Sequence, residues 1–113
     1  MADKGPGAAH IPWYGTVFRG DDLQAALIDL GTAAGRYGGE VTLHRSSEDS
    51  YRFHQTFAFA DKSDWNRFWE GPEAALWRTR HMGIYTQPVM YTWFTDVTGA
   101  AAAPAADEPA SVA

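Results

Sequence analysis

The sequence predicts one α+β domain in which two helices lie on one face of an antiparallel sheet, in the order β-α-β-β-α-β. Three observations predict it. Apolar side chains recur at three and four residues from Leu23 to Tyr37, the mark of an amphipathic helix. Two alternating runs, Glu40 to Arg45 and Tyr51 to Ala60, flank a short polar loop, the mark of a hairpin. The stretch from Tyr51 to His81 then passes from an alternating strand into a helix with three tryptophans, broken once at Gly71-Pro72. At 113 residues the chain has room for one core.

The elements follow in order. Ile11 to Phe18 reads as a first strand, alternating Trp13, Gly15 and Val17 against Tyr14, Thr16 and Phe18, with Pro12 tolerable near its start. Gly20-Asp21-Asp22 supplies turn and N-cap chemistry and puts acids where the helix dipole favours them. The first helix carries Leu23, Ala26, Leu27, Leu30, Ala33 or Ala34, and Tyr37 on one stripe, and Gly38-Gly39 ends it. Ser46 to Ser50 is the hairpin loop between the second and third strands. Ser63 or Asp61 caps the next helix, and proline, accepted at a first helical position but not inside, restarts it after Gly71. A second helical piece runs to near Gly83, and Gln87 to Val97 is the last strand. This order is the split βαβ, ferredoxin-like arrangement. Residues 1–9 and the Ala/Pro-rich residues 99–113 hold too little bulky apolar surface to offset their ordering entropy, so both are expected to be disordered tails around a domain of residues 10–98.

Pairing Arg45 with Tyr51 sets a hairpin register in which His44 faces Arg52, Thr42 faces His54 and Leu43 faces Phe53. Alternation then gives two unlike faces. Val41, Leu43, Tyr51, Phe53, Phe57 and Phe59, with Gln55 among them, form an apolar face that receives the helices. Glu40, Thr42, His44, Arg52, His54 and Thr56 form the other. Strands one and four are apolar on both faces, so a lone copy exposes Tyr14, Phe18 and Phe94, and a second copy closing over the open face is expected.

Composition excludes several classes. There is no cysteine, hence no disulfide, thiolate nucleophile or Cys-ligated metal. Net charge is -5 and no basic cluster exceeds Arg78/Arg80, so nucleic acid and anionic membranes are not expected partners. MADKGPGAAH lacks the apolar run of a secretory signal, and no stretch is long enough to span a membrane, which makes the cytoplasm the expected location. No His-x-x-x-His or carboxylate-histidine cluster appears at metal-ligand spacing, and no Gly-rich phosphate loop.

With that element order in place, the run FHQTFAFADKSDWNRFWEGPEAALWRTRH resembles the dimeric α/β-barrel proteins, specifically the antibiotic-biosynthesis-monooxygenase-like domains. A strand, a turn with an Asp/Ser cap, a Trp-bearing helix and a Gly-Pro break before a second helix carry the resemblance, which covers residues 10–98. It implies a homodimer, and either cofactor-independent oxygenation of polycyclic aromatic substrates or haem degradation. Laying Gly71-Pro72 on the Gly-Pro of haem-degrading relatives puts Phe68 at their Trp and Trp77 at their His, with Trp69 and His81 close by, while strand one, IPWYGTVF, lacks their Asn. Where polyketide-type monooxygenases carry an Asn and a Trp, this chain has Gln55 and Phe59.

The candidate site residues follow from chemistry and placement. His54 can exchange a proton near neutral pH, Arg52 can hold an enolate or carboxylate oxygen, and His44 shares their face. Tyr14 points the same way if strand one pairs with strand three, to orient a ligand or simply to pack. Trp69 and Trp77, with Trp65, either wall a ligand channel or fill the core. His81, four residues after Trp77, is either an axial haem ligand or a cation favoured at a helix C-terminus. The expected function is therefore a small homodimeric barrel that binds a small aromatic or polyketide-like molecule without a cofactor. Its chemistry would be monooxygenation or isomerisation, with His54 as base and Arg52 at the oxyanion. Two alternatives stand beside it: a non-catalytic accessory subunit for a protein partner, and a haem-binding or haem-degrading protein.

Overall fold

A computed structural model describes residues 5–98. Its elements are β1 (Gly7–Tyr14), α1 (Gly20–Gly35), β2 (Glu40–Arg45), β3 (Arg52–Phe59), α2 (Lys62–Trp69), α3 (Pro72–His81) and β4 (Thr92–Thr95). The strands form one antiparallel sheet in the order β2-β3-β1-β4. This is the α+β, ferredoxin-like βαββαβ fold. Its second helix is divided in two, with extended Gly71 before α3 and Pro72 in that helix's first turn, where its missing N–H costs nothing.

The helices cover the face that carries Ala9, Ile11, Trp13, Phe53, Gln55, Phe57 and Phe59, all buried. Leu23, Leu27 and Leu30 of α1 and Trp65 and Phe68 of α2 close over it with no surface left to solvent. Each such side chain contributes about 1.5–3 kcal/mol on burial, so this layer supplies most of the driving force. One polar group sits within it. The fully buried Gln55 accepts from Trp13 Nε1 at 3.1 Å and donates to the Leu27 carbonyl at 2.9 Å, tying β3 to β1 and to α1. Asp61 caps α2 as expected, accepting from the Ser63 N–H.

Six expectations are corrected. β1 begins at Gly7 and ends at Tyr14, so the ordered unit starts before His10 and residues 7–9 are not a tail. β1 is a central strand bonded on both sides, which holds small residues such as Ala8 and Ala9 in place, and Gly7 leaves room for the Trp93 ring. The chain turns at Thr16 to Arg19, with Phe18 at φ 68° and 89% exposed, so Phe18 lies beyond the sheet. The hairpin register is two residues off that expected: His44 faces His54, Thr42 faces Thr56 and Leu43 faces Gln55. Tyr51 belongs to the turn, since Ser46 Oγ accepts from the Glu48 and Asp49 N–H groups and Asp49 Oδ1 from the Tyr51 N–H.

Because strand side chains alternate with period two, this shift keeps both faces and changes only the partners. α1 starts at Gly20 with Arg19 as its cap and no side-chain cap bond, although Asp21 and Asp22 do lie in its first turn. β4 is four residues long instead of eleven. Val89, Tyr91 and Trp93 still pack on the core while Met90 and Phe94 face out, so the alternation holds where the ladder does not. The expected C-terminal tail, residues 99–113, lies outside the described residues. Among the described residues no helix is long and apolar enough to cross a membrane.

Candidate functional site

Strand pairing lays the open face out in transverse rows. Tyr14 of β1 lies across from Arg52 of β3; in the next row Pro12, His54 and His44 run across β1, β3 and β2. His10 lies beside Thr56 and Thr92, and Ala8 beside Ala58 and Phe94. Side chains at these positions point away from the helices, because their neighbours in sequence, Ile11, Trp13, Phe53 and Gln55, are the buried ones.

A hollow of about 270 Å³ opens on this face, lined by Pro12, Tyr14, His44, Ser46, Arg52 and His54 among others. The sheet thus gathers four of the expected site residues, Tyr14, His44, Arg52 and His54, into one place. Arg52 holds its guanidinium carbon 5.4 Å from the centre of the Tyr14 ring, and no described carboxylate forms an ion pair with it. Its charge is therefore free to meet an anionic oxygen. Arg45, at the rim, is already engaged by Asp21 (2.8 Å), Gln24 (2.9 Å) and the Ser50 carbonyl (2.9 Å), and serves as wall.

His10 joins this site, a residue the sequence reading left out. Its Nδ1 lies 3.0 Å from His54 Nε2, a hydrogen bond between two imidazoles. The His10 ring meets both the His54 ring (centroids 5.1 Å apart) and the Phe94 ring (4.6 Å) edge-on. Burial, and then the neighbouring His54 charge, lower the pKa of His10 from its ordinary value. A second hollow of about 340 Å³, lined by Ala8, His10, Ala58, Phe94 and Asp96 among others, lies on the other side of the pair. His54 lines the first hollow and His10 the second. The alternation of Tyr14 and Pro12 does continue to His10 in the sequence, but the small side chains of Gly7-Ala8-Ala9 give that end of β1 no strand signal of its own.

The other expected site residues are elsewhere. Trp69 and Trp77 are buried on the helix side, with the sheet between them and the hollow. Trp69 stacks on Trp65 at 5.1 Å and carries the Arg78 guanidinium 4.3 Å above its ring. Trp77 donates from Nε1 to the Ala26 carbonyl at 2.8 Å and packs between Trp13 and Tyr85. Both are core residues. His81 lies 5.0 Å from the Trp77 ring and lines a separate cleft of about 500 Å³ with Arg19, Asp22, Asp29 and Arg80. That lining is charged and lacks the broad apolar walls a porphyrin requires, and Trp69 is not part of it. The residues expected for haem therefore do not fit the group. Gln55, placed where polyketide-type relatives carry Asn, has its amide oxygen and nitrogen engaged inside the core and does not reach the hollow. Among the described residues no cluster of three His, Asp or Glu is arranged to hold a metal ion.

Comparisons with known proteins place the fold. No family model matches the chain, and no curated protein does. Solved structures match closely in shape. A candidate antibiotic biosynthesis monooxygenase from Nitrosomonas europaea superposes with a TM-score of 0.74 at 14% identity, covering 84% of this chain and 94% of that one. One from Bordetella bronchiseptica gives 0.72 at 18%, covering 83% and 99%. SnoaB from Streptomyces nogalater, a cofactor-independent oxygenase, gives 0.72 at 13%, covering 81% and 93%. The chain thus has the ferredoxin-like fold of the antibiotic biosynthesis monooxygenase structures, along nearly their whole length. At these identities the likeness is one of fold.

Proposed function

We propose that this protein is a cofactor-independent oxygenase that takes a proton from a small aromatic, polyketide-like molecule held on the open face of the sheet. The observation that supports this most directly is the convergence of His54, His44, Arg52 and Tyr14 on one hollow. The shape shared with SnoaB adds weight to the choice of reaction. In this reading His54 removes the acidic proton of a ring C–H that is conjugated with a carbonyl across the ring. Arg52 holds the oxyanion that forms, and the Tyr14 ring and Pro12 line the apolar side.

For an anthrone the steps balance. The C–H proton goes to His54, dioxygen adds to the carbanion to give a hydroperoxide, and loss of water leaves the quinone, so that anthrone plus O2 gives anthraquinone plus H2O. Isomerisation would use the same proton transfer without oxygen.

The same reading includes a homodimer. At about 270 Å³ the hollow falls just below the roughly 300–1,000 Å³ typical of ligand pockets, and it is open on the side away from the helices. Tyr14 (41% exposed) and Phe94 (53%) stand on that side, and a second copy laid against it would bury both and close the hollow.

The test is oxygen uptake with anthrone by the full chain, alongside light scattering for the dimer mass. His54→Ala should lower kcat about a hundredfold or more, the scale of a lost general base. Arg52→Ala should lower kcat and raise KM. If a folded, dimeric His44→Ala/His54→Ala variant bound and oxidised anthrone as the wild type does, the assignment would be wrong.

A further inference from the structure

The His10–His54 pair raises a question that the proposed reaction leaves open, namely which nitrogen of His54 does the chemistry. An imidazole acts as a base only through a ring nitrogen whose lone pair is free, and the partner of the other nitrogen decides which one that is. His54 Nε2 is taken, since it lies 3.0 Å from His10 Nδ1. The one remaining proton-exchanging atom of the ring is Nδ1, and no hydrogen bond to it is formed among the described residues.

We propose that His10 is a positioning residue for His54: its Nδ1 accepts from His54 Nε2–H, which fixes the tautomer that leaves Nδ1 of His54 as the base. This rests on the oxygenase reading for its reaction, and on the ring geometry for the tautomer. The placement of His10 is built by its surroundings. Phe94 from β4 closes one side of its ring at 4.6 Å and His54 the other at 5.1 Å, while Thr56 and Thr92 flank it across the ladders.

When Nδ1 of His54 takes the substrate proton, the imidazolium must donate from Nε2. A neutral His10 opposite it converts an ordinary hydrogen bond into a charge-assisted one, which stabilises the state formed during reaction more than the resting state. Burial and the His54 charge both disfavour protonation of His10 itself, which keeps that lone pair available. The other titratable groups on this face are His44, Arg52 and Tyr14 around His54, Asp96 in the hollow of His10, and Glu40 at the far end of β2. Among the described residues none of them bonds to His10, whose ring nitrogen meets His54. Protonation of His10 Nδ1 would remove the acceptor and break the pair, so the tautomer lock depends on His10 staying neutral.

The test uses the full chain labelled with ¹⁵N. In the wild type the ring nitrogens should show scalar coupling between His10 Nδ1 and His54 Nε2, with His54 in its Nε2–H tautomer. His10→Phe keeps a ring against Phe94 but offers no acceptor. It should lose the coupling, mix the His54 tautomers and lower kcat for anthrone oxidation about ten- to a hundredfold, with KM held, as expected for a lost bond to a charged group. His10→Asn, whose amide oxygen can accept near the Nδ1 position, should restore the tautomer and most of kcat, and it guards against a folding defect in the phenylalanine variant.

Absence of the coupling in the wild type, a proton on His54 Nδ1 instead of Nε2, or an unchanged kcat in a folded His10→Phe variant each overturns the proposal. A wild type that shows the coupling but consumes no oxygen overturns the oxygenase reading instead. The two failures are therefore separate.

Discussion

Replacing Gln55 by leucine would test how the sheet is fastened to its helices, and the size of the effect follows from the partners of one amide. The substitution roughly conserves volume in a site with no exposed surface, so little cavity forms. It strips two hydrogen bonds. The Leu27 carbonyl is inside α1 and keeps its helical partner, so its loss is small. The Trp13 Nε1–H, also fully buried, is left with no acceptor. An orphaned buried donor costs about 1–3 kcal/mol, and a central value of about 2 kcal/mol is a large share of a domain stability of roughly 5–15 kcal/mol. For a domain of this size it corresponds to a fall in Tm of about 8–16 °C.

Urea unfolding followed by far-UV circular dichroism reads the free energy directly. The slope should not change, since the surface exposed on unfolding is the same. Adding Trp13→Phe to the leucine variant removes the orphaned N–H itself, so the double variant should be more stable than the sum of the single effects by about 1 kcal/mol. A leucine variant within about 0.5 kcal/mol of wild type, or strict additivity, would refute the account of Gln55 as a structural tie.

Two further outcomes follow from the fold. A Cβ added to Gly7 would stand 2.6 Å from both the Phe94 carbonyl oxygen and the Trp93 ring, so Gly7→Ala should push β4 away and cost about 1–3 kcal/mol in thermal unfolding; a neutral substitution would contradict the pairing of β1 with β4. Burial raises the pKa of the Tyr85 phenol above its ordinary value, against a smaller opposing effect of the Arg78 charge. The unfolded chain therefore loses this proton first, and the contribution of Tyr85 to stability is full below about pH 10 and is lost as pH rises further. In an ultraviolet titration of phenolate absorbance Tyr85 should ionise late, and Tyr85→Phe should flatten the alkaline fall in urea midpoint.

Much of the fold was legible because it depends on periodicity. The stripe of Leu23, Leu27 and Leu30, the alternation through β3 and the Gly71-Pro72 break each report a local rule, and each is present in the structure. What could not be read was whatever depends on partners. Gly7 to Ala9 have weak strand chemistry of their own and are strands because β3 and β4 bond them from both sides. Placing Tyr51 in the strand makes the hairpin loop too short, which sets His44 opposite Arg52 and Thr42 opposite His54, whereas His44 in fact faces His54.

The site was legible to the same depth. Alternation alone assigns His44, Arg52 and His54 to one face, which holds over any even slip, and Tyr14 joins them only through the pairing of β1 with β3. Trp69 and Trp77 were ambiguous because ring spacing on a helix is the same whether the rings face a ligand or a core. Only the Ala26 carbonyl bonded to Trp77 and the guanidinium above Trp69 decide that.

The brevity of β4 has a consequence for time as well as for shape. Four residues paired with Gly7 to His10 make the shortest ladder in the sheet, and short edge ladders open at lower free energy than the core they border. Trp93 anchors that strand on one side while Phe94 presses on His10 from the other. Each transient opening of the edge therefore releases the ring that confines His10, and amide exchange at Thr92 to Thr95 becomes a clock for how long the imidazole pair persists.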